Sequence, residues 1–264
     1  SFGKDGPWKD YAAPDLIAGA LGGSVAITGD VDTPPLKPFG DLNFTVSGAY
    51  VAIAALAGLR HARETGQGQT VRVSVHECIA SCLEHVFMFY LFGKSFRNAR
   101  NRVLDRRGSL HWTDLYEVMS AKNGHIMVTP TPSLDNQLVW LIEEEAYEDL
   151  LDPKYQDPAE RGKWARRMMD VLRSWVATKD VESLFFEAQE HHAPYGWVQN
   201  IPQVAKNPQL EARDWWSTTR IDGLEIRTTG SPYRLSESPA SPRNVEEIRV
   251  SENNIVELCG WGEY

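Results

Sequence analysis

Three cysteines in 264 residues, Cys78, Cys82 and Cys259, are too few and too scattered for a disulfide framework. None stands in a CxxC pair, so a zinc knuckle is not expected, and a reducing cytoplasm is the expected compartment. Cations are also short: 27 Lys and Arg face 36 Asp and Glu, for a net charge of −9. A nucleic-acid partner is therefore not expected. No membrane span is expected either, because the apolar runs read as shorter than the about 18 charge-free residues one needs. P-loop, GxGxxG, GxSxG and HExxH signatures are all missing. What remains is an ordinary globular composition, 42% hydrophobic and 24% charged, which excludes disorder, collagen and coiled coil. The length suits one large domain or two modest ones with a real core.

Position 1 is Ser, and the opening Ser-Phe-Gly-Lys-Asp-Gly-Pro-Trp is loop chemistry without the charged and apolar regions of a signal peptide. The numbering is expected to start inside a longer chain, or an upstream part is lost or encoded separately. Asp15 reads as the N-cap of a helix over 16–21 that Gly22-Gly23 stops. Prolines 34, 35 and 38 make 30–40 a loop. Ser47 then reads as the cap of a helix over 48–64 whose first part is apolar all round, which implies burial on every side. Arg60, His61 and Arg63 suit its last turns, and Gly66 ends it. Alternation predicts a strand over 70–75, and a second apolar helix over 77–92.

The segment 94–107 is basic, with Lys94, Arg97, Arg100, Arg102, Arg106 and Arg107 against Asp105. It marks a domain boundary, and it reads either as a solvated linker or as a phosphate-holding run. Lys122-Asn123-Gly124 between alternating segments predicts a hairpin, as does Asp222-Gly223. Helical patterns follow at 134–145, 159–177 and 180–191. The domain division is then 1–109, a small α+β domain over 110–192, and a return over 193–264.

Each chemical candidate has a plain counterpart. Cys78 and Cys82 share a helix face with His85, as metal ligands can, but their apolar surroundings make buried small side chains the better reading and no metal is expected. His191-His192 would point about 100° apart on a helix, which favours a helix end over an acid–base pair. Asp41 follows Gly40 in the proline-rich loop, where carboxylates are often turn formers.

Asp10-Tyr11, Asp15-Leu16, Gly22-Gly23, Thr28-Gly29, Pro34-Pro35, Ser47-Gly48 and Thr65-Gly-Gln-Gly-Gln-Thr-Val71 stand in a familiar order. Further on come Asn123-Gly124, Ala193-Pro-Tyr-Gly-Trp-Val198, Asn207-Pro-Gln-Leu-Glu-Ala-Arg213 and Gly230-Ser-Pro-Tyr-Arg-Leu235. Together they resemble the class III CoA-transferases, the CaiB/BaiF family, over about residues 1–240. The resemblance implies an α/β fold: part of a Rossmann-like large domain with an inserted small α+β domain, in an interlocked dimer. The family's first hundred or so residues have no counterpart here. The resemblance also implies acyl-CoA and carboxylic-acid substrates, with coenzyme A as a substrate and no further cofactor, and an aspartate that forms anhydride and thioester intermediates.

The family's nucleophile lies in a Gly-Asp pair shortly before the glycine of the long helix. Gly40-Asp41 has the right dipeptide, but Asp41 lies seven residues before Gly48 where four or five are usual. An ungapped reading puts Phe44 at that place. Two alternatives stay open: Asp41 serves after a shift of about one turn, or the chain is a non-catalytic, CoA-binding subunit, as in the heteromeric benzylsuccinate CoA-transferases. Arg100 and Arg102 are the candidates for meeting CoA phosphates. A third reading, an acyl-CoA racemase or hydratase-type enzyme on the same fold, is weakened by Pro14, where racemases of the family carry His. The family's glycine run between domains is reduced here to Gly108.

Overall fold

The computed structural model describes residues 1–92, 106–110, 113–130, 134–221 and 223–240. Arg100, Arg102 and Cys259 lie outside the described residues, as does most of the basic run. The chain divides into two compact units, Ser1–Val198 and Gln199–Tyr264.

The first unit opens with four helices, α1 (Asp15–Gly22), α2 (Leu42–Thr65), α3 (Val75–Ser81) and α4 (Glu84–Phe92). α1 packs on α3 so closely that a Cβ on Gly22 would lie 2.6 Å from Ile79, and Gly23 closes the helix at φ 92°, where a side chain would be strained. Ala13, Ala18 and Ile79 form the small core here, with Phe2 and Val75 against it.

α2 begins at Leu42, not Gly48, and Ser47 is an interior residue whose hydroxyl donates to the Asn43 carbonyl at 2.8 Å. Interior Ser that bonds back one turn is no cap. Burial on every side is not observed either: only Asn43 and Ser47 of α2 are buried, while Ile53 and Leu56 are each 66% exposed. The helix is also long and apolar enough, by length and composition, to cross a membrane, contrary to the reading of the apolar runs as too short. The polar Asn43, Thr45 and Ser47 interrupt the run without charging it. Residues 70–74 form no strand among the described residues, and Val75 opens α3 instead, after an extended Ser74. Alternation gives an extended chain, but a strand also needs a neighbour. The helix expected over 77–92 is broken at Cys82-Leu83.

The rest of this unit is a small α+β body. β1 (Glu117–Ala121) and β2 (Gly124–Val128) pair antiparallel with Ala121 opposite Gly124, which makes Lys122-Asn123 the two-residue turn. β3 (Gly196–Trp197) adds to β2. Helices α5 (Leu134–Glu143), α6 (Arg161–Val176) and α7 (Val181–Glu190) bury their apolar stripes against the sheet. On α6, Trp164, Met168, Leu172 and Trp175 recur at helical spacing and are all buried. Glu117 is buried too, and Arg173 of α6 holds it with Nε and Nη2 each donating at 3.0 Å, a fork that pins helix to strand. Leu172→Ala should cost about 2–5 kcal/mol, because its side chain is fully enclosed. A thermal melt that moves by less than a degree would contradict this packing.

Asp180 caps α7 by accepting from the Glu182 and Ser183 N–H groups, both at 3.1 Å, and accepts from the Asn123 amide at 2.6 Å. The Ser183 N–H, then Asn123, hold its carboxyl below the ordinary 3.8. Arg167 does the same to Asp149, and the Lys154 N–H to Asp152. Depressed carboxyls contribute stability that is fully present above their unfolded value and is lost as pH falls through the folded one. The first unit should therefore lose stability below about pH 4 and show no slope from these groups at neutral pH. Asp180→Asn keeps an acceptor but cannot titrate, so its acid loss should be shallower. An identical pH curve would show that Asp180 is not a contributor.

The second unit holds the short helices α8 (Ile201–Val204) and α9 (Pro208–Ala212), then a hairpin of β4 (Trp216–Ile221) and β5 (Leu224–Thr229). Arg227 lies 4.3 Å over the Trp216 ring and pairs with Glu211.

Candidate functional site

Gly40 turns the chain with φ 67°, and Asp41 follows as the residue that precedes the first turn of α2. A non-glycine residue at position 40 would be strained, so the Gly-Asp pair is a backbone device as much as a chemical one. Asp41 is exposed, and its side chain makes no capping hydrogen bond. Its backbone carbonyl accepts from both the N–H and the hydroxyl of Thr45, each at 3.0 Å. Phe44 lies one turn further on and is 40% exposed. Residues three apart at a helix start are neighbours on one side, so the offset between Asp41 and position 44 amounts to roughly one 5 Å turn.

The first turn of α2 is fixed from α1. Phe44 N–H donates to Asp15 Oδ1 at 2.8 Å, and Asn43 Nδ2 donates to Asp15 Oδ2 at 2.9 Å. Ser24 Oγ donates to Asn43 Oδ1 at 3.1 Å. Asp15 was expected to cap its own helix. It is instead the first residue of α1, after Pro14, and its buried carboxylate serves a partner 29 residues away. Local spacing carries no signal for that partner. The same polar layer borders Cys78, whose thiol is pushed up by burial, with the Ser47 hydroxyl acting the other way.

Other sequence candidates separate from this place. Cys78 is buried, but Cys82 is exposed with its sulfur 4.0 Å from the Tyr50 hydroxyl. Among the described residues, no group of three His, Cys, Asp or Glu could hold a metal. His191 ends α7 and stacks on Trp140 with centroids 4.4 Å apart, and His192 turns away at φ 55°. Tyr195 donates to Gln137 at 2.6 Å inside the small body, where burial pushes its phenol well up. Arg106 of the basic run donates to the carbonyls of Asp30, Val31 and Thr33, which ties the proline-rich loop to the start of the small body.

The model of CoA-transferase family III matches residues 1–246. Succinyl-CoA:mesaconate CoA-transferase of Haloarcula hispanica is 28% identical over 232 residues, 86% of this chain and 56% of that protein. Succinyl-CoA:(R)-benzylsuccinate CoA-transferase subunit BbsE of Thauera aromatica is 26% identical over 265 residues, 98% of this chain and 64% of that one. A CaiB/BaiF family protein from Brucella suis shares the fold with a TM-score of 0.73 at 22% identity, over 90% of this chain and 60% of that one. The chain thus spans less than two thirds of each of these proteins.

Proposed function

The chain belongs to CoA-transferase family III, and from that premise we propose that it forms part of an enzyme that moves coenzyme A from an acyl-CoA to a free carboxylic acid. The family match over residues 1–246 carries the reading. The chain's own contribution is Asp41: an exposed carboxylate, free of capping duty, at the head of a long helix. A carboxylate oxygen of Asp41 attacks the donor's thioester carbon, the carbon–sulfur bond breaks, and CoA thiolate leaves an acyl-aspartyl anhydride. The thiolate attacks the aspartyl carbonyl, which releases the donor acid and forms aspartyl-CoA. The acceptor carboxylate displaces the thiolate through a second anhydride, and the thiolate takes the acceptor's acyl carbon and restores Asp41. No net proton or electron is exchanged, so the cycle calls for no cofactor. Splitting the exchange in this way replaces one hard step by easier ones.

A second reading has its own support. Phe44 stands where an ungapped reading places the nucleophile, and the Thauera relative carries the name of a subunit. In that reading the chain is a non-catalytic member of a heteromer, and the covalent intermediates form on a partner.

The exposed apolar face of α2 supports an obligate assembly, homomeric or heteromeric, with interlocked chains as the proposed form. In it, further protein of the complete molecule supplies the rest of a Rossmann-like domain and covers α2. Soluble monomers rarely expose so large an apolar patch. Arg100 and Arg102 are proposed to meet CoA phosphates. The few cysteines support a reducing, cytoplasmic setting.

The test is an assay of the complete protein with succinyl-CoA, the donor in its relatives' names, against a panel of carboxylic acids. Appearance of a new CoA ester supports transfer. Hydrolysis alone, or no turnover with any acid, would overturn it.

A further inference from the structure

An aspartate just before a helix ordinarily spends its carboxylate on the first-turn N–H groups. Asp41 holds that place and makes no such bond. Of the two N–H groups such a carboxylate takes, at Asn43 and at Phe44, the Phe44 N–H is already bound to Asp15 Oδ1 at 2.8 Å. Asp15 is only 5% exposed, and it is held on its other side too: Asn43 Nδ2 reaches Oδ2 at 2.9 Å, and Ser24 orients Asn43. Its negative charge lies in the first turn of α1 and against the first turn of α2, where both helix dipoles favour an anion. That placement accounts for a carboxylate buried without a cationic partner among the ion pairs of the described residues.

We propose that Asp15 is a positioning residue that caps α2 from a different helix, and so leaves the Asp41 carboxylate uncommitted and open for chemistry or for a ligand. Two aspartates at one helix head divide the work: one holds the turn, the other stays available. The inference does not rest on the transferase reading, since it concerns the state of Asp41 in the unliganded protein.

Carbodiimide coupling to a primary amine, resolved by residue with mass spectrometry on the complete protein, measures that state directly. In the wild type, Asp41 should react as fast as the exposed Asp5 and Asp10, while Asp15 stays unmodified. Asp15→Ala frees the Phe44 N–H, Asp41 turns onto it, and its coupling should slow about fivefold. Asp15→Asn keeps an acceptor on that N–H, so coupling at Asp41 should stay at the wild-type rate. Asp15→Leu, which fills the buried site without an acceptor, replaces Asp15→Ala if the alanine variant does not fold. A merely structural Asp15 would leave Asp41 reactivity the same in every folded variant, and that result overturns the proposal. So does an Asp41 that already lags Asp5 and Asp10 in the wild type.

Discussion

Asp41→Asn should reduce CoA transfer by the complete protein roughly 10³-fold or more, a loss of about 4 kcal/mol of transition-state stabilisation or more. The amide is nearly isosteric and sits on an exposed helix head, so the fold should be unchanged. What disappears is the nucleophile: a neutral amide oxygen does not displace a thiolate usefully. The loss should fall on kcat, with KM for the acyl-CoA changed only a few-fold, because binding does not need the charge. Hydroxylamine added during turnover should trap an aspartyl adduct on the peptide that contains Asp41, and the variant should give none. Activity within a few-fold of wild type, with an adduct on a partner chain, would establish the non-catalytic subunit instead.

A charge on the outer face of α2 should be nearly as damaging. Ile53→Asp or Leu56→Asp is expected to abolish the assembly and with it more than about 99% of the activity, by the arithmetic of burying an unpaired charge. Both side chains are two-thirds exposed in the isolated chain, so the substitutions should be harmless to its own packing. Burying each of them in an interface would contribute about 1.5–3 kcal/mol, and an aspartate would reverse the sign. Sedimentation of the complete protein reads the outcome: wild type as one oligomer, the variants dissociated or aggregated. The composition of α2 would also suit lipid, and flotation with vesicles separates the cases. Wild-type protein that floats with the lipid would overturn the proteinaceous cover.

Much of the small α+β body was legible in the sequence, because its signals are local. Lys122-Asn123-Gly124 signals the hairpin, whose turn is Lys122-Asn123, Asp180 caps α7, and the stripe of α6 repeats at the helical period. The first ninety residues were harder, because their structure depends on distant partners. Ser47 resembles a cap locally, yet the helix starts earlier, where Asp15 can supply an acceptor from across the chain. Residues 70–74 alternate like a strand and form none among the described residues. The apolar surface of α2 promised burial, and burial needs a second surface. The Gly40-Asp41 pair was visible, but whether its carboxylate was spent on the helix could be answered only by the geometry around Asp15.

The most direct test of the central claim follows the oxygen. An acceptor acid whose carboxylate is enriched in heavy oxygen passes one labelled atom to the nucleophile each time the second anhydride is cleaved at the acceptor carbon. After a single turnover of the complete protein, the peptide containing Asp41 should be heavier by that one oxygen, repeated turnover should carry it toward two, and fragmentation should place the label on the Asp41 carboxylate. Label that appears on no carboxylate of this chain while transfer proceeds would contradict the account.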